Sequence, residues 1–144
     1  MQVETTAAGP APGFQKHPQY EITSEPIGAP VTVSFDGTVI AETSGAVWLH
    51  ETKHHPVLYV PRADVRFDLL EETDQSTYCP FKGDARYWTV KGVGAAGENA
   101  VWGYDAPFDE VSELARYVAF YGDRVDTTVD GKPIPRQGPG YTEE

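Results

Sequence analysis

Short runs with a period of two residues, separated by turn residues, are the feature that most constrains this chain. Residues 31–35 alternate between apolar and polar side chains, Asp36-Gly37 follows, and residues 38–41 return with β-branched character. An Asp-Gly step between alternating runs is a strong signal of a tight β-hairpin. Further runs that predict strands lie at 46–49, 57–60, 65–70, 85–90, 99–104, 118–120 and 125–129.

One segment has helical rather than strand spacing. Residues 109–117 place Val111, Leu114 and Tyr117 on one face, with Asp109 as a candidate cap. The sequence therefore predicts a mainly β domain of the α+β type, with one short helix near the C-terminus. We expect three parts: a flexible arm over 1–18, a single domain over 19–130 and a flexible tail over 131–144, because both ends are rich in Gly and Pro and lack apolar periodicity.

Charge and cysteine content narrow the function classes. The net charge is −11, with 11 Lys and Arg against 22 Asp and Glu. Such a chain repels phosphate backbones and anionic lipid, so we expect no nucleic-acid or membrane partner. A single cysteine, Cys79, excludes an internal disulfide and multi-thiolate zinc sites. The first residues carry no signal peptide pattern, so we expect a cytoplasmic protein, either a monomer or a weak homodimer.

The segment His50-Glu51-Thr52-Lys53-His54 spells the H-E-x-x-H pattern of zinc peptidases. That chemistry needs a helix, because only there do positions i and i+4 share one metal. Pro56 follows closely and the segment begins like a strand, on which the two histidines would lie about 13 Å apart. We expect a polar loop and no bound metal, with a zinc-dependent hydrolase as a remote alternative.

A second cluster surrounds the cysteine, in Thr77-Tyr-Cys-Pro-Phe-Lys-Gly83. Lys82 lies three residues after Cys79 and could lower its pKa, which would make a nucleophilic thiolate. The alternative is that Cys79 is a small hydrophobic residue beside a Pro-Gly turn.

Several motifs together resemble a known family. They are Tyr59-Val-Pro-Arg-Ala-Asp64-Val65, Thr77-x-Cys79-Pro80-x-Lys82-Gly83-x-Ala85-x-Tyr87, Trp102-x-Tyr104-x-x-Pro107, Tyr117-Val-Ala-Phe-Tyr121 and Asp123-Arg-Val125. Over residues 31–129 the chain resembles the family catalogued as domain of unknown function 427, also labelled nucleotidyltransferase-like. The resemblance implies a β-tent fold, in which two small antiparallel sheets meet at an angle. It includes a glutamate at position 51 but not the flanking histidines.

The polar and aromatic residues of these motifs are the main candidates for a functional site, although the resemblance implies no established activity. The chain has no Gly-rich phosphate loop and no paired-aspartate motif, so the nucleotidyltransferase label finds no support in its residues. We expect instead a small-molecule pocket between the sheets, without a cofactor. Candidate catalytic residues for acid–base work are Lys82, Asp64, Glu51 and Cys79; candidate ligand-binding residues are Tyr59, Arg62, Thr77, Tyr87, Trp102 and Tyr104. A protein-interaction module that uses an exposed sheet edge is the alternative.

Overall fold

The computed structural model describes residues 9–135 of the chain. It has one α-helix, α1 (Pro12–Lys16). The strands are β1 (Ile22–Pro26), β2 (Val31–Phe35), β3 (Thr38–Thr43), β4 (Val47–Glu51), β5 (Val57–Pro61), β6 (Leu70–Cys79), β7 (Gly83–Val90), β8 (Val101–Tyr104), β9 (Tyr117–Phe120), β10 (Asp126–Val129) and β11 (Lys132–Ile134).

These strands form two sheets in which every pairing is antiparallel. The larger sheet has seven strands in the order β1-β4-β5-β9-β8-β7-β6, and the smaller has four in the order β11-β10-β2-β3. The predicted mainly β class with two antiparallel sheets is confirmed. Within residues 9–135 no helix is long and apolar enough to cross a membrane.

The two faces of the larger sheet bury different side chains. Successive residues on a strand point to opposite faces. On β5, Leu58 and Val60 join the core that packs against the smaller sheet, and Tyr59 joins a second core. That second core also contains Leu49, Tyr87, Tyr104 and Leu114. The tyrosine-rich face therefore points away from the smaller sheet.

The predicted C-terminal α-helix is wrong in type. Asp109–Arg116 is 3₁₀ helix, interrupted at Val111, which has φ −130° and ψ 34°. Val111 and Leu114 are buried as the pattern predicted, because residues three apart lie on one face of a 3₁₀ helix. A β-branched residue in an eight-residue connection between strands does not favour an α-helix. The α-helix lies near the N-terminus instead.

The predicted strand at 65–70 is also wrong. Val65 makes only an isolated bridge to Ala41, and Phe67–Leu69 is a 3₁₀ turn. The strand begins at Leu70 and continues for ten residues to Cys79. It lies at the edge of the larger sheet and most of its residues are exposed. Because neither face of this strand is covered, its sequence lacks the apolar alternation that would reveal it.

A few described residues within the two ends that were predicted to be flexible make contacts with the domain. Ala11 and Gly13 are buried, although they fall within the expected arm 1–18. Lys132–Ile134 of the expected tail pairs with β10 through an Asp130-Gly131 turn, in which both residues have positive φ. Single buried residues at one end and a tight hairpin turn at the other are enough for these contacts. The sequence therefore shows no apolar periodicity at either end. Residues 1–8 and 136–144 lie outside the described residues.

Gly13 joins the N-terminal segment to the domain, and its substitution is expected to destabilise the protein. Its amide donates to the carbonyl of Pro80 at 2.9 Å. A Cβ at this position would lie 2.7 Å from two ring atoms of Phe81. Gly13→Ala is therefore expected to lower the free energy of unfolding by about 1–3 kcal/mol, the range for overpacking. Urea titration measures it, with the exposed Gln15→Ala as the control; equal stability of the two variants would contradict the packing.

Candidate functional site

A tight turn between β6 and β7 carries Lys82. The amide of Lys82 donates to the carbonyl of Cys79 at 3.2 Å, and its own carbonyl accepts from the amide of Phe108 at 3.1 Å. Gly83 follows with φ +119°, a conformation that residues with a side chain rarely adopt. Phe81 stacks on Tyr20, with ring centroids 3.9 Å apart. The turn is thus held from both sides, and the Lys82 side chain is only 12% exposed.

Lys82 forms an ion pair with Glu51, the last residue of β4. Its Nζ contacts Oε2 of Glu51, whose side chain is only 6% exposed. The hydroxyl of Tyr20 donates to Oε1 of Glu51 at 2.7 Å. Both carboxylate oxygens therefore accept a hydrogen bond from the protein, and the Lys82–Glu51 pair is removed almost completely from water.

The surroundings keep Lys82 charged. Burial acts to lower the pKa of Lys82, but the anionic groups around it outweigh burial and raise its pKa above the ordinary value. Burial raises the pKa of both Tyr59 and Tyr104, so these phenols are neutral at physiological pH. The charge that stabilises the Lys82 ammonium there is the carboxylate of Glu51.

Aromatic side chains form the walls around this pair. The Nζ of Lys82 lies 5.8 Å from the ring centroid of Tyr104. Tyr59 is 1% exposed, and a hydrogen bond from Trp102 acts on its phenol. The rings of Trp102 and Tyr121 lie 4.6 Å apart at 48°. These four residues come from β5, β8 and the end of β9, which are adjacent in the sheet.

The phenol of Tyr87 connects two further hydroxyls. It lies 2.9 Å from Oγ1 of Thr77 on the neighbouring edge strand β6. It also shares a hydrogen bond with Tyr121, and burial together with this bond raises the pKa of Tyr121 to about 12. These hydrogen bonds fix the orientation of the Tyr87 and Tyr121 rings.

A cavity of about 480 Å³ brings most of the predicted residues together. Six of the ten line it: Glu51, Tyr59, Lys82, Tyr87, Trp102 and Tyr104. Thr77 contacts the wall through Tyr87. The main-chain carbonyl of Cys79 caps the turn that carries Lys82, but the residue is not among the described residues that line the cavity.

Arg62, a candidate ligand-binding residue, and Asp64, a candidate catalytic residue, are not among the described residues that line the cavity. Asp64 accepts a hydrogen bond from Oγ1 of Thr43, on β3 of the smaller sheet, at 2.6 Å. Arg62 pairs with Asp105 at 3.0 Å and packs over Trp88. The chain leaves the larger sheet at Pro61, and the bridge between Val65 and Ala41 holds the next residues against the smaller sheet. Membership of the same family motif as Tyr59 therefore does not bring either residue to the cavity.

The H-E-x-x-H segment is not a helix. His50 and Glu51 end strand β4 and Lys53 has φ +66° in the following turn. Adjacent strand residues point to opposite faces: Glu51 enters the cavity, and Nε2 of His50 lies 2.8 Å from Oε1 of Glu25 on β1. Within residues 9–135 no three His, Cys, Asp or Glu side chains are grouped to hold a metal ion.

Several residues of the site were not predicted, among them Tyr20, Tyr121, Asp123 and Arg124. The last three line the cavity, and the guanidinium of Arg124 lies 4.9 Å from the ring centroid of Tyr121. Tyr121, Asp123 and Arg124 all belong to the motifs that carry the family resemblance, and that signal could have identified them. Tyr20 lies beside the segment interpreted as a flexible arm, so its hydrogen bond to Glu51 had no signal in the sequence.

Comparison with known proteins agrees with the motif analysis. The family model NTP_transf_9, described as a domain of unknown function (DUF427), matches residues 23–131, about three quarters of the chain. The match includes every residue of the cavity wall named above. A search of curated proteins found no match.

Proposed function

This chain belongs to the DUF427 family, and on that premise we propose that it is a small-molecule-binding protein. The ligand occupies the cavity of about 480 Å³ and contacts the Lys82–Glu51 pair. Volumes of this size suit small-molecule sites, which combine apolar and aromatic walls with a few fixed polar groups.

The observation that carries this proposal is the position of a buried ion pair in the wall of an open cavity. Burying two charges costs free energy, and well-packed apolar residues of similar size often stabilise a protein as well or better. The pair is therefore a poor device for stability alone. In the wall of a cavity it presents one fixed donor and one fixed acceptor, which orient a ligand.

The geometry favours binding over acid–base catalysis by Glu51. A general base must have an oxygen within reach of the substrate proton. Each oxygen of Glu51 already accepts a hydrogen bond, from Lys82 or from Tyr20. Protonation of either oxygen would disrupt one of these bonds, whereas a ligand donor could still use a remaining lone pair. Asp64 accepts a hydrogen bond from Thr43 instead, and the second carboxylate considered for this role is not among the described residues that line the cavity.

We also propose a β-tent arrangement for the two sheets and a cytoplasmic location. The common apolar core between the sheets supports the first. The single cysteine supports the second, because disulfides are rare in that compartment.

Indole-3-acetamide is a suitable probe, since it pairs one flat ring with one amide. It has about 13 non-hydrogen atoms, and at about −0.3 kcal/mol per atom its Kd is expected near ~1 mM. Val57 lines the cavity, so Val57→Phe is expected to fill it and to weaken binding at least about tenfold, by loss of ~1.4 kcal/mol. The matched control is Val39→Phe, because Val39 is exposed on the smaller sheet.

Ligand-observed NMR measures both variants with the same probe. Retention of full binding by Val57→Phe would place the probe outside the cavity. Failure of the wild-type protein to bind this probe and a library of neutral ring fragments would contradict the proposed function.

A further inference from the structure

The positive and negative charges of the described cavity wall are equal in number. Besides the tyrosines, the described residues that line it include Glu51, His54, Lys82, Asp123 and Arg124. With histidine counted as neutral, two carboxylates face two cations. The buried cation, Lys82, already has Glu51 as its partner. An anionic ligand would thus have to compete with a carboxylate that is fixed in the protein.

A cationic ligand meets a different obstacle. Aromatic walls bind cations through their ring faces, but two of these faces already hold cations of the protein. Lys82 lies over Tyr104, at 5.8 Å, and Arg124 lies over Tyr121, at 4.9 Å. A ligand cation near either ring would be repelled by a neighbouring like charge.

Phosphates are disfavoured for the same reasons. Phosphate sites use free cations, helix N-termini or glycine-rich loops. In the described wall of this cavity, Lys82 is paired with Glu51, and the guanidinium of Arg124 lies over the ring of Tyr121 with Nη1 donating to the carbonyl of Glu98 at 3.0 Å, which leaves its other donors and its charge in place. A net charge of −11 over the chain adds a repulsive field. The nucleoside triphosphate that the family's catalogue label implies does not fit this wall.

What remains for a ligand is apolar ring surface and neutral hydrogen bonds. Trp102 is half-buried, and its ring meets that of Tyr121 at an open angle of 48°. The phenols and the polarised Lys82–Glu51 pair both donate and accept. From this balance we infer that the cavity selects uncharged, hydrogen-bonding ring compounds over anions and cations of the same shape. This inference rests on the proposed function above.

Three indole probes with short side chains test the selection: indole-3-acetamide, its isostere indole-3-acetate and tryptamine, which carry no charge, one negative and one positive charge. For the wild-type protein we expect the amide to bind at least about tenfold more tightly than either ion, because a charge without a free partner loses hydration on entry. Ligand-observed NMR at one ionic strength gives the three affinities.

Two variants then change the balance in opposite directions. Glu51→Gln leaves Lys82 without its counter-charge, so the acetate is expected to gain at least about fivefold relative to the amide. Lys82→Met leaves Glu51 without its cation, so tryptamine is expected to gain instead. Circular dichroism shows whether each variant is folded, and the wild-type ranking stands as a test even if one is not.

The outcomes separate the two proposals. If the amide binds and the acetate or tryptamine binds as tightly, the charge selection is overturned and the binding function stands. If the wild-type protein prefers the amide but both variants rank the three probes in the same way, the Lys82–Glu51 pair does not set the selection. This inference then fails. If none of the three binds, nor any neutral ring fragment, the proposed function itself fails.

Discussion

Replacing Glu51 with alanine is expected to lower the free energy of unfolding by about 3–5 kcal/mol, the usual cost of breaking a buried ion pair. The substitution leaves the ammonium of Lys82, only 12% exposed, without its counter-charge. It also removes the acceptor of the Tyr20 hydroxyl. Urea denaturation followed by circular dichroism measures the loss.

Two controls identify the cause. Glu25→Ala removes an exposed partner of His50, at 65% side-chain exposure, and is expected to change stability by less than about 1 kcal/mol. The double variant Glu51→Gln with Lys82→Met removes both charges and keeps similar volumes. It is expected to be more stable than Glu51→Ala by about 2 kcal/mol or more, because no unpaired charge remains buried. Equal losses for Glu51→Ala and Glu25→Ala would contradict the burial of the pair.

Raising the pH above about 10 is expected to unfold the protein steeply. Burial raises the pKa of Tyr20, Tyr59, Tyr104 and Tyr121, the last to about 12, and the surroundings raise the pKa of Lys82. Unfolded tyrosine and lysine titrate near about 10 and 10.4. Above these values the unfolded chain has released protons that the folded chain still holds, so stability falls as pH rises.

Each such group contributes up to about 1.4 kcal/mol of lost stability per pH unit. The stabilisation is fully present below about pH 10 and is lost as the pH rises through the folded-state pKa values. Urea titrations between about pH 8 and pH 11 measure the slope, and absorbance of the phenolate reports tyrosine ionisation. We expect the phenolates of Tyr20, Tyr59, Tyr104 and Tyr121 to form together with unfolding. A flat stability profile up to about pH 11 would contradict the burial of these groups. Tyr121→Phe should reduce the slope by one group's share.

Sequence reasoning predicted the strands that pack on a core. Apolar residues alternate on β2, and β4, β5, β7 and β8 contain apolar or aromatic runs whose residues are buried in one core or in both. The edge strand β6 exposes nearly every residue, so it has no such pattern. The Asp130-Gly131 turn could have been predicted by the same rule as the Asp36-Gly37 turn. The proline-rich sequence after it led instead to the prediction of a flexible tail.

The site residues also divide into those that the sequence could predict and those that it could not. Residues in the family motifs that lie on neighbouring strands, such as Tyr59 and Trp102, converge because antiparallel pairing aligns them. The pairing of Lys82 with Glu51 joins a turn to a strand end 31 residues away, which no local pattern encodes. Asp64 lies five residues after Tyr59, yet a 3₁₀ turn takes it to the other sheet. Tyr20 contributes a contact without a motif.

A crystal structure of the wild-type protein soaked with indole-3-acetamide would show whether the Lys82–Glu51 pair forms the polar end of a ligand-binding cavity. We expect the ion pair to be intact, the indole to lie against Trp102, and the amide to be within hydrogen-bond distance of Nζ of Lys82 or a carboxylate oxygen of Glu51. An empty cavity at a saturating probe concentration, or a probe bound elsewhere while Lys82 points into solvent, would contradict the account.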